Sequence, residues 1–152
     1  MLEHLPHGVN IIGSHSMFGP QTLTHNNHSF SGFNVVLENI RCKKKIYAVV
    51  KDFINSLGAH TIEMTADDHD QKAAKFHFLS QLVGNSLAPL CLEQSDINTV
   101  SYEFLFNFMK RLDPDDELLS MMYTYNPYSK IYLEKYKQSF DALYSKLKPY
   151  SD

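Results

Sequence analysis

The sequence predicts an α+β fold, with an α/β segment over residues 1–66 followed by an all-helical stretch over 67–152. Three observations carry this. Short apolar runs at 9–12, 33–37 and 60–64 have the length and composition of strands. A stripe at helical spacing, Ile46, Val49, Val50, Phe53, Ile54 and Leu57, separates the second run from the third. Beyond Thr65 the apolar period is helical throughout.

In order, Val9-Asn10-Ile11-Ile12 reads as a short buried strand that Gly13 ends, placing His15 in a turn before Gly19-Pro20. Residues 21–32 are polar and histidine-bearing, a loop by composition. Phe33–Leu37 is the second strand. The 46–57 stripe is a helix with Gly58 as its stop. His60–Met64 alternates as a third strand. Thr65, Asp67 or Asp68 caps a long helix that turns Ala73, Phe76, Ser80, Val83, Leu87 and Leu90 inward. Ser95-Asp96 caps the next, with Tyr102, Leu105, Phe106 and Met109 inward. Asp113-Pro114 begins another, its acids set against the positive dipole end. Asn126-Pro127 begins the last, carrying Ile131, Leu133, Tyr136, Phe140, Leu143 and Leu147 inward.

Composition removes several function classes. The 152 residues carry a net charge of −3 and no basic stripe interleaved with aromatics, which speaks against nucleic acid as a partner. The Lys43-Lys44-Lys45 run reads as a solvated helix face. No apolar run approaches the roughly 18 residues of a membrane span. The N-terminus has no signal-type apolar core, so a cytoplasmic location is expected. Cys42 and Cys91, without CxxC spacing, suit a reducing compartment.

A histidine at a strand exit faces the crevice where open α/β sheets bind ligands, and imidazole exchanges protons near neutral pH. On spacing alone a lone histidine there is more often a group that only bonds a loop carbonyl. His4/His7 and His25/His28 are spaced three apart but lack the convergent Cys or HExxH partners of a zinc site, so no metal is expected. GxSxG is absent. Asp67, Asp68 and Asp70 are explained by a helix start. The six glycines never form GxGxxG or a P-loop, so the chain has no pyrophosphate cradle of its own.

Two ordered motifs change the reading of His15. His15-Ser16-Met17-Phe18-Gly19-Pro20 resembles the HPMFGP signature of the prephenate and arogenate dehydrogenases. Glu63-Met64-Thr65, His69-Asp70-Gln71-Lys72-Ala73-Ala74 and Val83-Gly84 resemble that family's E-M-(S/T) and HD-x-x-AA…VG stretch. Ile97-Asn98-Thr99, Tyr102-Glu103 and Tyr125-Asn126 are similar to the plant-type arogenate branch, and the Gln21–Phe30 loop is least alike.

The resemblance implies a fold in which residues 1–66 are the C-terminal part of a Rossmann-like nucleotide-binding domain and 67–152 a helical dimerisation and substrate domain. It implies NAD(P)-dependent oxidative decarboxylation of arogenate or prephenate in tyrosine biosynthesis, with His15 as the catalytic group that accepts the hydroxyl proton. It implies substrate contacts at His69, Gln81 and Glu103, and contacts to NADP or NAD at Ser14, Met17, Gly19 and Pro20. The implied partners are a second copy in a homodimer and a chain supplying the N-terminal Rossmann half, without which the chain is expected to be inactive.

Three positions depart from the family pattern. Ser16 replaces the motif proline, Gln81 stands where relatives carry a second histidine, and Glu103 occupies the place of a carboxylate-binding arginine. The alternative is a non-catalytic dimeric ligand-sensing or interaction module derived from that family.

Overall fold

Gly13 does not end the first strand. In the computed structural model, which describes residues 4–112 and 116–150, β1 runs Ile11–Ser16 and carries His15 within its ladder. Glycine forfeits a side chain for packing but keeps its backbone bonds, so the ladder continues through it. The chain divides into two compact units, the first ending at His69 and the second beginning at Asp70.

In the first unit the order is β1, α1 (Pro20–His25), β2 (Asn34–Arg41), α2 (Lys44–Ser56), β3 (His60–Glu63) and the start of α3 (Ala66–Ala73). Among the described residues the strands form one sheet in the order β1-β2-β3. β1 pairs antiparallel with β2, and β3 pairs parallel. A parallel pair needs a crossover, which α2 provides. Gly58 ends that crossover at φ +90°, a backbone conformation that side chains disfavour. The 21–32 stretch is not all loop, because Pro20 at the first helical position starts the short α1.

The fully buried Leu37 (1 % exposed) anchors this unit, with Val36, Tyr47, Ala59 and Thr61 also buried. Only part of the predicted α2 stripe is covered. Tyr47 is buried and Val50 and Ile54 are half-buried, while Ile46, Val49, Phe53 (61 %) and Leu57 face outward. On the side of α2 that meets β3, Lys51 pairs with Glu63 and Asn55 holds the strand. His60 donates its N–H to Phe33 O, just before β2, and Met64 donates to Leu37 O within it, so the N–H of Thr61 points to the far side. Asn55 Oδ1 accepts it at 3.2 Å and the Thr61 hydroxyl at 3.0 Å.

In the second unit the run after Thr65 is helical but not of one period. A π-helical turn over Ala74–Phe78 joins α3 to α4 (Leu79–Leu87). Its wider turn shifts the phase, so Phe76, expected inward, is exposed, while Ala74 and Phe78 (1 %) are buried. Gly84 on α4 is buried, and a Cβ there would run into the side chain of Leu112.

α5 (Val100–Arg111) starts later than Ser95-Asp96 predicts. Thr99 caps it, accepting from Tyr102 N–H at 3.2 Å, while the Ser95 hydroxyl bonds Asp96. The cap expected at Asp113-Pro114 lies outside the described residues; α6 (Asp116–Tyr125) does carry Asp116 and Glu117 in its first turn. α7 spans Ser129–Leu147, starting two residues past Asn126-Pro127. Asn126 shapes that turn, accepting from Tyr128 N–H (2.9 Å) and donating to Asp70 O (2.8 Å). Ser129 is wholly buried and donates to Met122 O at 2.9 Å. Leu133 and Tyr136 of α7 are half-buried, but Ile131, Phe140, Leu143 and Leu147 are exposed.

Candidate functional site

The register of the sheet decides which side chains meet. His15 lies opposite Val36, and Gly13 opposite Glu38. Residues directly opposite share a face, so Gly13, His15, Val36 and Glu38 look the same way. The chain then leaves β3 through Met64 and enters α3. Thr65 is the cap of α3: its hydroxyl accepts from Asp68 N–H at 3.1 Å and donates to the Asp68 carboxylate at 2.9 Å. One helical turn follows, with His69 N–H bonded to Thr65 O at 2.9 Å, and His69 reaches the sheet face.

There His15 Nδ1 and His69 Nε2 stand 2.7 Å apart, with the rings edge-on at 4.9 Å between centroids. Both line a cavity of about 220 Å³, together with Gly13, Ser14, Val36, Glu38, Met64, Thr65 and Ala66. At 2.7 Å one nitrogen donates and the other accepts. If His15 donates, its Nε2 keeps a lone pair and can act as a base, with His69 orienting the ring as a third group orients a catalytic histidine. The opposite polarity puts the proton on His15 Nε2 and makes it a donor.

Beside the cavity, the end of β3 is held electrostatically. The Glu63 carboxyl is lowered from its usual value by its bond to Lys51, and the Lys51 amine is raised by the same bond. The Tyr47 phenol is raised first by burial and then by the Glu63 charge.

The remaining predicted residues fall in three places. Ser14 lines the cavity. Past the strand, Met17 N–H bonds Asn34 O at 3.0 Å, Gly19 precedes α1 and Pro20 opens it. Phe18 packs on Phe30 and Phe33, fixing this segment, and Ser16 Oγ donates to Phe18 O (3.4 Å) where the motif has proline. Gln81 and Glu103 belong to the second unit. Gln81 Oε1 is buried without a hydrogen-bond partner among the described residues, and Glu103 accepts from Asn98 Nδ2 at 2.8 Å.

Glu38 and Ala66 line the cavity without having been singled out from sequence, and Met64 and Thr65, read there as motif and cap residues, line it too. Only the strand register, Gly13 against Glu38, reveals the first of them.

Among the described residues, the turns into α1 and α2 do not fit a dinucleotide pyrophosphate. α1 has six residues and opens on Pro20, which lacks an N–H, and the turn from β2 into α2 contains no glycine. Among the described residues no group of three His, Cys, Asp or Glu side chains is placed to hold a metal ion. No described helix is long and apolar enough to cross a membrane.

Comparison with known proteins gives the same direction as the motifs. The chain is 30% identical over 154 residues to the chloroplastic arogenate dehydrogenase 1 of Arabidopsis thaliana, an alignment covering 97% of this chain. In sequence the chain is similar to the plant arogenate dehydrogenases. Its fold matches the crystal structure of Synechocystis arogenate dehydrogenase with a TM-score of 0.62 at 21% identity, over 93% of this chain and 55% of that one. It also matches prephenate dehydrogenase from Aquifex aeolicus, solved in complex with hydroxyphenyl propionate and NAD+, with a TM-score of 0.56 at 18% identity, over 77% of this chain and 43% of that one. No protein-family model matches. The chain spans 24% of the Arabidopsis arogenate dehydrogenase and about half of the solved dehydrogenase chains.

Proposed function

We propose that this chain carries the substrate side of an arogenate or prephenate dehydrogenase of tyrosine biosynthesis. Residues 1–66 are then the C-terminal part of a Rossmann-like nucleotide-binding domain, and 67–152 a helical dimerisation and substrate domain. The observation that supports this best is the His15–His69 pair at the mouth of a cavity.

In this reading His15 donates its Nδ1 proton to His69 and accepts the ring hydroxyl proton of the substrate at Nε2. His69 fixes the ring and stabilises the resulting imidazolium. Gln81 and Glu103 are the further candidate contacts, Gln81 on the strength of its unsatisfied buried oxygen. A nicotinamide dinucleotide, NADP or NAD, supplies the hydride acceptor when bound. In this reading a partner chain carrying the N-terminal Rossmann half holds its phosphates, with Ser14, Met17, Gly19 and Pro20 on this chain's side. The free thiols of Cys42 and Cys91 suit a reducing, cytoplasmic location.

Calorimetry on the purified chain tests this. A hydroxyphenyl ligand such as L-tyrosine binds the wild type, and His15→Ala and His69→Ala each weaken that binding, while neither NAD nor NADP binds the chain alone. Turnover of arogenate or prephenate with NADP by the chain alone would overturn the divided site. Equal ligand affinity in all three proteins would remove the histidine pair from it.

The exposed Phe140, Leu143 and Leu147 of α7 support a homodimer built on the helical unit. Sedimentation is expected to show a dimer that Phe140→Asp with Leu143→Asp converts to monomer. The departures at Ser16 and Gln81 favour a second reading, a non-catalytic ligand-sensing dimer. In that case ligand binding survives, and adding the dinucleotide-binding half restores no turnover.

A further inference from the structure

Resting on the proposed ligand site, we propose that Glu38 makes this cavity selective for hydroxyphenyl-type ligands that carry an amine, as in an amino acid, over those that carry only a carboxylate or oxoacid. Glu38 is the one Asp, Glu, Lys or Arg among the residues lining the cavity. Neither a hydrogen bond nor an ion pair engages its carboxylate among the described residues, in contrast to Glu63, held by Lys51, and Glu103, held by Asn98.

Its placement relative to His15 follows from the ladder. Val36 is opposite His15, and Glu38 lies two residues further along the same strand. His15 and Glu38 are therefore diagonal neighbours on one face, roughly 7–8 Å apart along the sheet. A six-membered ring with its hydroxyl at one end and its charged side group at the other spans such a diagonal. Gly13 keeps the floor between them bare: a Cβ there would come within 3.7 Å of Glu38 Oε2 and 3.3 Å of Ile40 Cδ1.

With the hydroxyl at His15, the side group meets a carboxylate. An ammonium gains a charge-assisted bond, while a lone carboxylate or oxoacid meets like charge. Arogenate carries the amine and prephenate does not, so the cavity favours the former.

L-tyrosine and hydroxyphenyl propionate differ only in the α-amine and serve as the probes, titrated calorimetrically into the full chain at neutral pH. The wild type is expected to bind tyrosine about tenfold more tightly. Glu38→Gln is expected to bring the two affinities within about twofold by weakening tyrosine alone, and Glu38→Asp to restore part of the preference. Circular dichroism should be unchanged in both, because the carboxylate braces nothing.

A preference that survives in Glu38→Gln, or that disappears in Glu103→Gln instead, overturns the assignment. So does hydroxyphenyl propionate binding as tightly as tyrosine to the wild type, an outcome that leaves the ligand site itself standing. Binding of neither probe removes both the assignment and the site it rests on.

Discussion

The sheet unit and the helical unit differ in what each leaves unfinished. In the first, strand register and one capped helical turn bring His15, His69 and Glu38 to one cavity, so the open feature is a small, largely apolar hollow set with a few polar side chains, and it fits a small molecule. In the second, Phe78, Ala74 and Ser129 form a small buried centre while Phe104 (74 %) and the α7 residues Phe140, Leu143 and Leu147 stand in solvent. That open feature is apolar and fits protein. The histidine pair is thus local to one unit, whereas the features that call for assembly lie mainly in the other.

The largest test of the comparison is at the two buried centres. Phe78→Ala should cost about 3–5 kcal/mol and Leu37→Ala about 2–5 kcal/mol, read from urea midpoints at constant m. Phe104→Ser should stay within about 0.5 kcal/mol, since that ring packs on little. A large loss at Phe104 would mean that the helical surface is already covered in solution.

A smaller effect sharpens the account of the cavity. Thr65→Ala removes the cap of α3 and should cost about 1 kcal/mol. It should also lower the affinity for tyrosine, because His69 stands one turn beyond the cap. Affinity unchanged at the reduced stability would show that His69 is held by other contacts.

The smallest effect is the pH dependence of the Lys51–Glu63 clasp. Glu63 is lowered from 4.5, so its contribution is complete above that pH and lost as pH falls through the depressed folded value. Lys51 is raised from 10.5, so its contribution is complete below that pH and lost as pH rises through the elevated folded value. Denaturation of Glu63→Gln across the acid limb should show a shallower slope than wild type, and an identical slope would remove the clasp from the stability of the sheet.

Much of this architecture was legible in the residues. Helix α2 with its Gly58 stop, the strands at 33–37 and 60–64 and a cap of α3 among Thr65, Asp67 and Asp68 follow from periodicity and turn chemistry. What was hidden depends on partners far along the chain. Gly13 continues a strand because Glu38 lies opposite it, which no local window contains. Phe76 points outward because a π-turn shifts the phase of an otherwise regular pattern. Ser95-Asp96 and Thr99 are equally good caps by type, and only the bond from Tyr102 N–H chooses between them. At the site, motif likeness identified His15 and His69, but their direct bond and the neighbouring Glu38 emerge only once the ladder is drawn.

The carboxamide of Asn55 makes the two margins of the sheet unequal. It occupies the outward N–H of Thr61 on β3, whereas β1, the strand that bears His15, forms the opposite margin. A newcomer strand laid along β1 would stand beside the imidazole pair, so widening the sheet on that side would also reshape the hollow.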